Sequence, residues 1–176
     1  MNGICGSDKP TNGTSDVKLI KGPGGEIAYA FKSVEGESDM MGTPKGYATS
    51  REVMMSKLTE TLNEKYQIGL GWPKATMAKL GTQSGALIDG VKGIRAGREV
   101  ERDHVPAEAL QRILLGNLAG GQFDIKWEDV RFERDGDTLK PICMDGGACM
   151  PDATTATTFL FAQSDGRPGG PLLHNG

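Results

Sequence analysis

Five residues carry the chemical potential of this chain: Lys32, Glu52, Asp124, Asp129 and Asp145. Three are carboxylates gathered around one hairpin. Val130–Glu133 and Leu139–Cys143 read as short strands, and Asp135-Gly136 between them is a strong turn signal because glycine supplies positive φ cheaply. A hairpin closed there brings Asp129 and Asp145 to the same open end, with Asp124 on the entering loop. Acids crowded together repel one another and call for a cation between them. The bland alternative is three solvated loop acids.

The elements that must position these groups follow in order. Val17–Ile20 and Ile27–Phe31 alternate like strands around the turn Gly22-Pro23-Gly24-Gly25, and Lys32 ends the second. The bare backbone at Gly24 and Gly25 could approach a phosphate, although a plain glycine hairpin explains the composition equally. Thr49–Leu62 reads as a helix with Met55, Leu58 and Leu62 as its buried stripe. Thr49 and Glu52 match a capping box, so Glu52 has two available partners, the Thr49 amide and the Lys32 amine. Ala75–Leu80 and Gly85–Ile88 form two more strands, turned at Gly81-Thr82-Gln83. Asp89–Gly93 connects the halves. Pro106 opens a second helix whose apolar face is Ala109, Leu110, Ile113, Leu114 and Leu118, stopped at Gly120-Gly121. Asp152–Phe161 reads as a last helix. The organisation is an arm (1–16), a first half (17–93), a second half (94–163) and a loose tail (164–176).

Composition narrows the function classes. A chain of 176 residues suffices for one domain or two small lobes. The net charge of −3 argues against nucleic acid or an anionic membrane as the main partner. No apolar run is long enough to span a bilayer and no signal-peptide pattern opens the chain, so the expectation is a soluble protein, cytoplasmic or exported without an apolar signal. The three cysteines, Cys5, Cys143 and Cys149, cannot all pair and lack zinc-finger spacing. They read as small buried thiols in a reducing compartment.

Taken in order, Ala30-Phe31-Lys32, Ser50-Arg51-Glu52-Val53, Gly85–Ile88, Asp124–Asp129 and Met144–Gly147 resemble the kinase-like fold, closest to the phosphatidylinositol-3/4-kinase-like and bacterial effector kinases. The resemblance implies a minimal two-lobed α+β fold. Its N-lobe is an antiparallel sheet with one helix, and its reduced C-lobe is a helix with a catalytic hairpin. It implies ATP and Mg²⁺ as cofactors and a protein hydroxyl as acceptor, in a host or neighbouring cell. Lys32 would hold the nucleotide phosphates under Gly24 and Gly25, and Glu52 would orient Lys32. Asp124 would take the proton of the attacking hydroxyl. Asp129 and Asp145 would bind the metal, and the segment from Ile88 to Val91 would meet the adenine. Asp129 stands where the family pattern has Asn. Gln122-Phe123 precede Asp124 in place of His-Arg, and Gly146 follows Asp145 in place of Phe. Two alternatives remain. One is a pseudokinase-type binding module. The other is an HNH-type nuclease, whose first half Asp103-His104 resembles; it needs a later His or Asn on a helix as second ligand, and the only other His is His174 in the tail.

Overall fold

Residues 16–37, 44–95, 100, 105–122, 126–136 and 138–148 are described by the structure, a computed structural model. Strands β1 (Val17–Lys21) and β2 (Ile27–Ser33) form the first hairpin, its turn closed by the Gly22 N–H donating to the Glu26 carbonyl at 2.8 Å. Strands β3 (Ala75–Leu80) and β4 (Gln83–Asp89) form the second, and β4 lies against β2. The result is an antiparallel sheet ordered β1-β2-β4-β3. Side chains alternate across a strand, so Ala30 and Lys32 of β2 share a face. That face receives helix α1 (Tyr47–Tyr66), with Ala30 and Val53 packed on a buried cluster of Ala75, Ala86 and Ile88.

Helix α1 is longer than its sequence pattern predicts, and its interior face is different. Thr49, Arg51, Glu52, Met55, Ser56 and Thr59 are buried, whereas Leu58 and Leu62 are only half-buried. The physical reason is that polar contacts seat this helix. Ser56 Oγ accepts the Ala75 N–H at 2.9 Å, and Glu52 turns inward to Lys32. The predicted capping box does not form. Glu37, itself buried, accepts the Gly46 N–H and the Thr49 N–H, the latter at 2.7 Å. A carboxylate on orphan amides at a helix start satisfies donors and interacts favourably with the positive end of the helix dipole.

The second unit is a sheet ordered β5-β6-β7 with one helix. β5 (Ile94–Arg95) pairs with β6 (Val130–Asp135), and β6 pairs with β7 (Thr138–Cys143). The hairpin is the predicted one with its turn moved by one residue. Asp135 pairs with Thr138, and Gly136 follows Asp135 at φ 62°. Helix α2 (Ala107–Gly120) has Pro106 as its N-cap rather than its first residue, and Gly121 ends it in the left-handed conformation. Ala109 and Ile113 are buried as expected, but Leu114 and Leu118 are not, at 45% and 79% exposure. Glu108, Gln111 and Arg112 mark the exposed side, and Leu114 and Leu118 lie toward it. Ala109, Ile113, Gly116, Asn117 and Gly120 form the buried side, and α2 packs on β7. The core there is Val100, Val105, Ala109, Ile113, Val130, Phe132 and Cys143, with Trp72, Leu110, Trp127 and Leu139 against it. The two units are stitched where the Cys143 N–H donates to the Gly71 carbonyl at 3.0 Å. The mixed α+β class is therefore as expected: an antiparallel sheet with one helix, then a helix with a hairpin. No helix among the described residues is long and apolar enough to cross a membrane. The expected last helix, Cys5, Cys149, Asp103, His104 and His174 lie outside the described residues.

Candidate functional site

Strand β2 delivers Lys32 to the α1 side of the sheet, and the second turn of α1 delivers Glu52. Lys32 Nζ donates to Glu52 Oε1 and, at 2.8 Å, to Asp145 Oδ1. Of the two readings open to Glu52, the structure realises the ion pair. Its second oxygen, Oε2, accepts the Gly146 N–H at 2.8 Å. Glu52 is 2% exposed and Lys32 18%, while Asp145 is 55% exposed at the outer side of the cluster. Three segments distant in sequence thus converge on one ammonium group.

One cation facing two acids sets the electrostatics. Burial works against the charged form of Lys32, but the Glu52 and Asp145 carboxylates outweigh it and raise the amine above its usual range. Burial lifts the Glu52 carboxyl above the ordinary range, and the neighbouring Asp145 charge adds to it. Lys32 and the Gly146 N–H oppose that rise. Loss of solvent also disfavours the Asp145 charge, yet Lys32, Lys126 and the Gly147 N–H hold that carboxyl below its usual range. The buried acid therefore bears the unfavourable part of the shared charge, and the exposed one stays ionised.

Asp129 ends the single helical turn Trp127–Asp129 before β6. Its carbonyl accepts the Met144 N–H at 2.8 Å, so the hairpin base does bring the Asp129 and Asp145 segments together. With Lys126, Gln122, Asn117 and Met144, Asp129 lines a small hollow at the end of α2. Asp124 lies outside the described residues. Among the described residues no three His, Cys, Asp or Glu side chains form a group that could hold a metal. Asp145 is met by an amine instead. Gly24 and Gly25 lie in the β1–β2 turn, with open space around Gly25 at φ 82° and the Glu26 carboxylate beside Gly22 and Gly24. Ile88 is a core residue in the central strand β4, and Val91, just beyond that strand, is half-buried. Cys143 is buried, as expected. Desolvation pushes its thiol up to about 12, Asp129 adds to the rise, and the Asn117 side chain opposes it.

Three contributors were not foreseen. Glu37 caps α1 from ten residues before its first turn, too far for a local motif to reveal. Lys126 lowers the Asp145 carboxyl, and its place between Asp124 and Asp129 was a visible signal. Gln122 Nε2 donates to the Asp145 carbonyl at 2.8 Å, for which the sequence offers no cue. The structure also gives a reason for Gly146. A Cβ there would stand 3.1 Å from Glu52 Oε2, 3.2 Å from Trp72 Cζ2 and 3.3 Å from Met55 Cβ. A larger side chain would press on the ion-paired glutamate. The Lys32 ammonium is taken up by two carboxylates, and the cluster presents the exposed Asp145 carboxylate outward. Compared with known proteins, the chain matches no family model and no curated protein.

Proposed function

We propose that this chain is an ATP-dependent phosphotransferase of compact kinase-like fold, acting on a protein hydroxyl. One observation carries the reading: a strand lysine paired with a buried helix glutamate, with an aspartate from the chain after a hairpin on the same ammonium group. Phosphoryl transfer needs little covalent work from the protein. It needs positioning and neutralisation of charge on phosphate oxygens. Lys32, kept protonated by its two acids, supplies the cation for the nucleotide phosphates, and Glu52 fixes its direction. Asp145 and Asp129 would hold Mg²⁺. The half-exposed Asp145 carboxylate offers hard oxygen at the edge of the cluster, as that ion prefers, and the metal would neutralise phosphate charge there. In the transfer itself the acceptor oxygen attacks the γ-phosphorus, the bond to the β–γ bridging oxygen breaks, and ADP leaves. Asp124 takes the hydroxyl proton.

A module that binds nucleotide without turnover is the second reading. The direct Lys32–Asp145 contact favours it, because both groups must turn to new partners before transfer. The experiment is a thermal shift with Mg·ATP, followed by label transfer from γ-labelled ATP with and without Asp124→Asn. A raised melting temperature with label transfer that Asp124→Asn abolishes supports the enzyme. Binding without transfer selects the module, and neither signal ends the proposal.

A further inference from the structure

The core of the second unit has an open side. Ala109 and Ile113 of α2 are buried in it, but Leu110, Trp127 and Leu139 at its edge are only partly buried. From Leu110 the exposure rises along one row of the helix. Residues four apart stack on a helix face, and Leu114 and Leu118 stand 45% and 79% exposed, with Leu115 beside them at 43%. Neighbouring leucines left in water mark a surface that something covers. Size argues against a second copy as the cover. Each side of a stable interface gives about 800 Å² from roughly 20–30 residues, far more than this row. A segment tethered in the same chain needs less, because it has no free translation to lose.

The chain supplies such a segment. Phe159-Leu160-Phe161 is the one run of three large apolar residues in the stretches beyond the described residues. No residue from Ala153 to Gln163 is charged, so laying this stretch on leucines buries no charge. Left bare, an uncharged run of this kind is prone to aggregate. The reach is sufficient. The Gln122 side chain, just beyond α2, donates to the Asp145 carbonyl at 2.8 Å, so the chain passes the end of α2 that carries Leu118 before it reaches residue 149. Phe159 follows Ala148 by eleven residues, a span of up to about 36 Å, whereas the 14 residues of α2 make about 21 Å. We propose that the segment Phe159–Phe161 of this same chain docks on the leucine row of α2, from Leu110 to Leu118, and closes the core of the second unit. The helix face and the apolar run then shield each other. The docking stands apart from the phosphotransferase reading and survives its failure.

The test is limited chymotrypsin cleavage of the folded full chain. Cuts at Phe159 and Phe161 are followed by mass spectrometry, and each rate is divided by that of the same chain in urea. Wild type is expected to be cut there at least about tenfold more slowly than the unfolded chain. Leu118→Ser, harmless on a bare helix face, raises the native rate about tenfold, the scale of one buried leucine. Leu160→Ser does the same, and the double variant is cut no faster than the faster single one, because both remove one contact. Sedimentation finds wild type and variants equally monomeric. A wild-type segment cut at the unfolded rate overturns the proposal, as does a rate that Leu118→Ser leaves unchanged. Effects that multiply in the double variant overturn it too. A wild-type dimer that Leu118→Ser dissociates assigns the row to a second copy and overturns it equally. Should Leu118→Ser not fold, Leu115→Ser takes its place in the same cycle.

Discussion

Replacing Glu52 by leucine is the most informative perturbation of this fold. Glu52 is 2% exposed, and each carboxylate oxygen has one partner, Lys32 Nζ on Oε1 and the Gly146 N–H on Oε2. Breaking a buried ion pair by removing one member costs about 3–5 kcal/mol, because the remaining charge is left uncompensated. Here Lys32 keeps Asp145 at 2.8 Å and is 18% exposed, which places the expected cost near the lower end, about 3 kcal/mol. That is a large share of the roughly 5–15 kcal/mol that holds a domain together. With an m-value of about 2 kcal/mol/M, the urea midpoint falls by about 1.5 M. Lys32→Met and the double variant complete a thermodynamic cycle. The pair replaced together by apolar groups is expected to lose at least about 1 kcal/mol less than the two single losses summed. A midpoint shift below about 0.5 M for Glu52→Leu, or strict additivity in the cycle, would refute the view of Glu52 as a buried charge held by Lys32.

Three further outcomes are expected. Glu37→Ala removes the acceptor for two amides at the start of α1 and should cost about 1–2 kcal/mol in urea melts, with faster hydrogen exchange at Thr49. Asp145 has a lowered carboxyl, so its favourable contribution is present above about pH 4 and is lost as pH falls through its folded value. The stability gap between wild type and Asp145→Asn should therefore narrow below about pH 4, and a gap that widens there contradicts the ion pair. With Cys5 and Cys149 replaced by serine, Cys143 should react with a disulfide reagent at about pH 8 roughly a thousandfold more slowly in the native protein than in urea, since its thiol is pushed up to about 12. Equal rates would show that the thiol is not in the core.

Local pattern in the sequence settled a good deal. Alternation and glycine turns located β1 to β4 and the β6–β7 hairpin to within a few residues, because strand period and turn chemistry are properties of adjacent residues. The hairpin alone required that Asp129 and Asp145 share one end, since pairing across a tight turn leaves no other arrangement. Sequence could not decide between the Thr49 amide and Lys32 as the partner of Glu52. Both lie within reach of a glutamate on that helix, and the outcome turned on Glu37, which takes the amide from a segment that no local motif connects to it. Nor could periodicity orient α2. Its five leucines and isoleucines fall on both its buried and its exposed sides, and the inward side, with Gly116 and Gly120 buried, was settled by packing on β7. The contact of Gln122 with Asp145 spans 23 residues and carries no local signature at all. Tertiary structure decided such points because each is a competition among partners brought close only once the chain has folded.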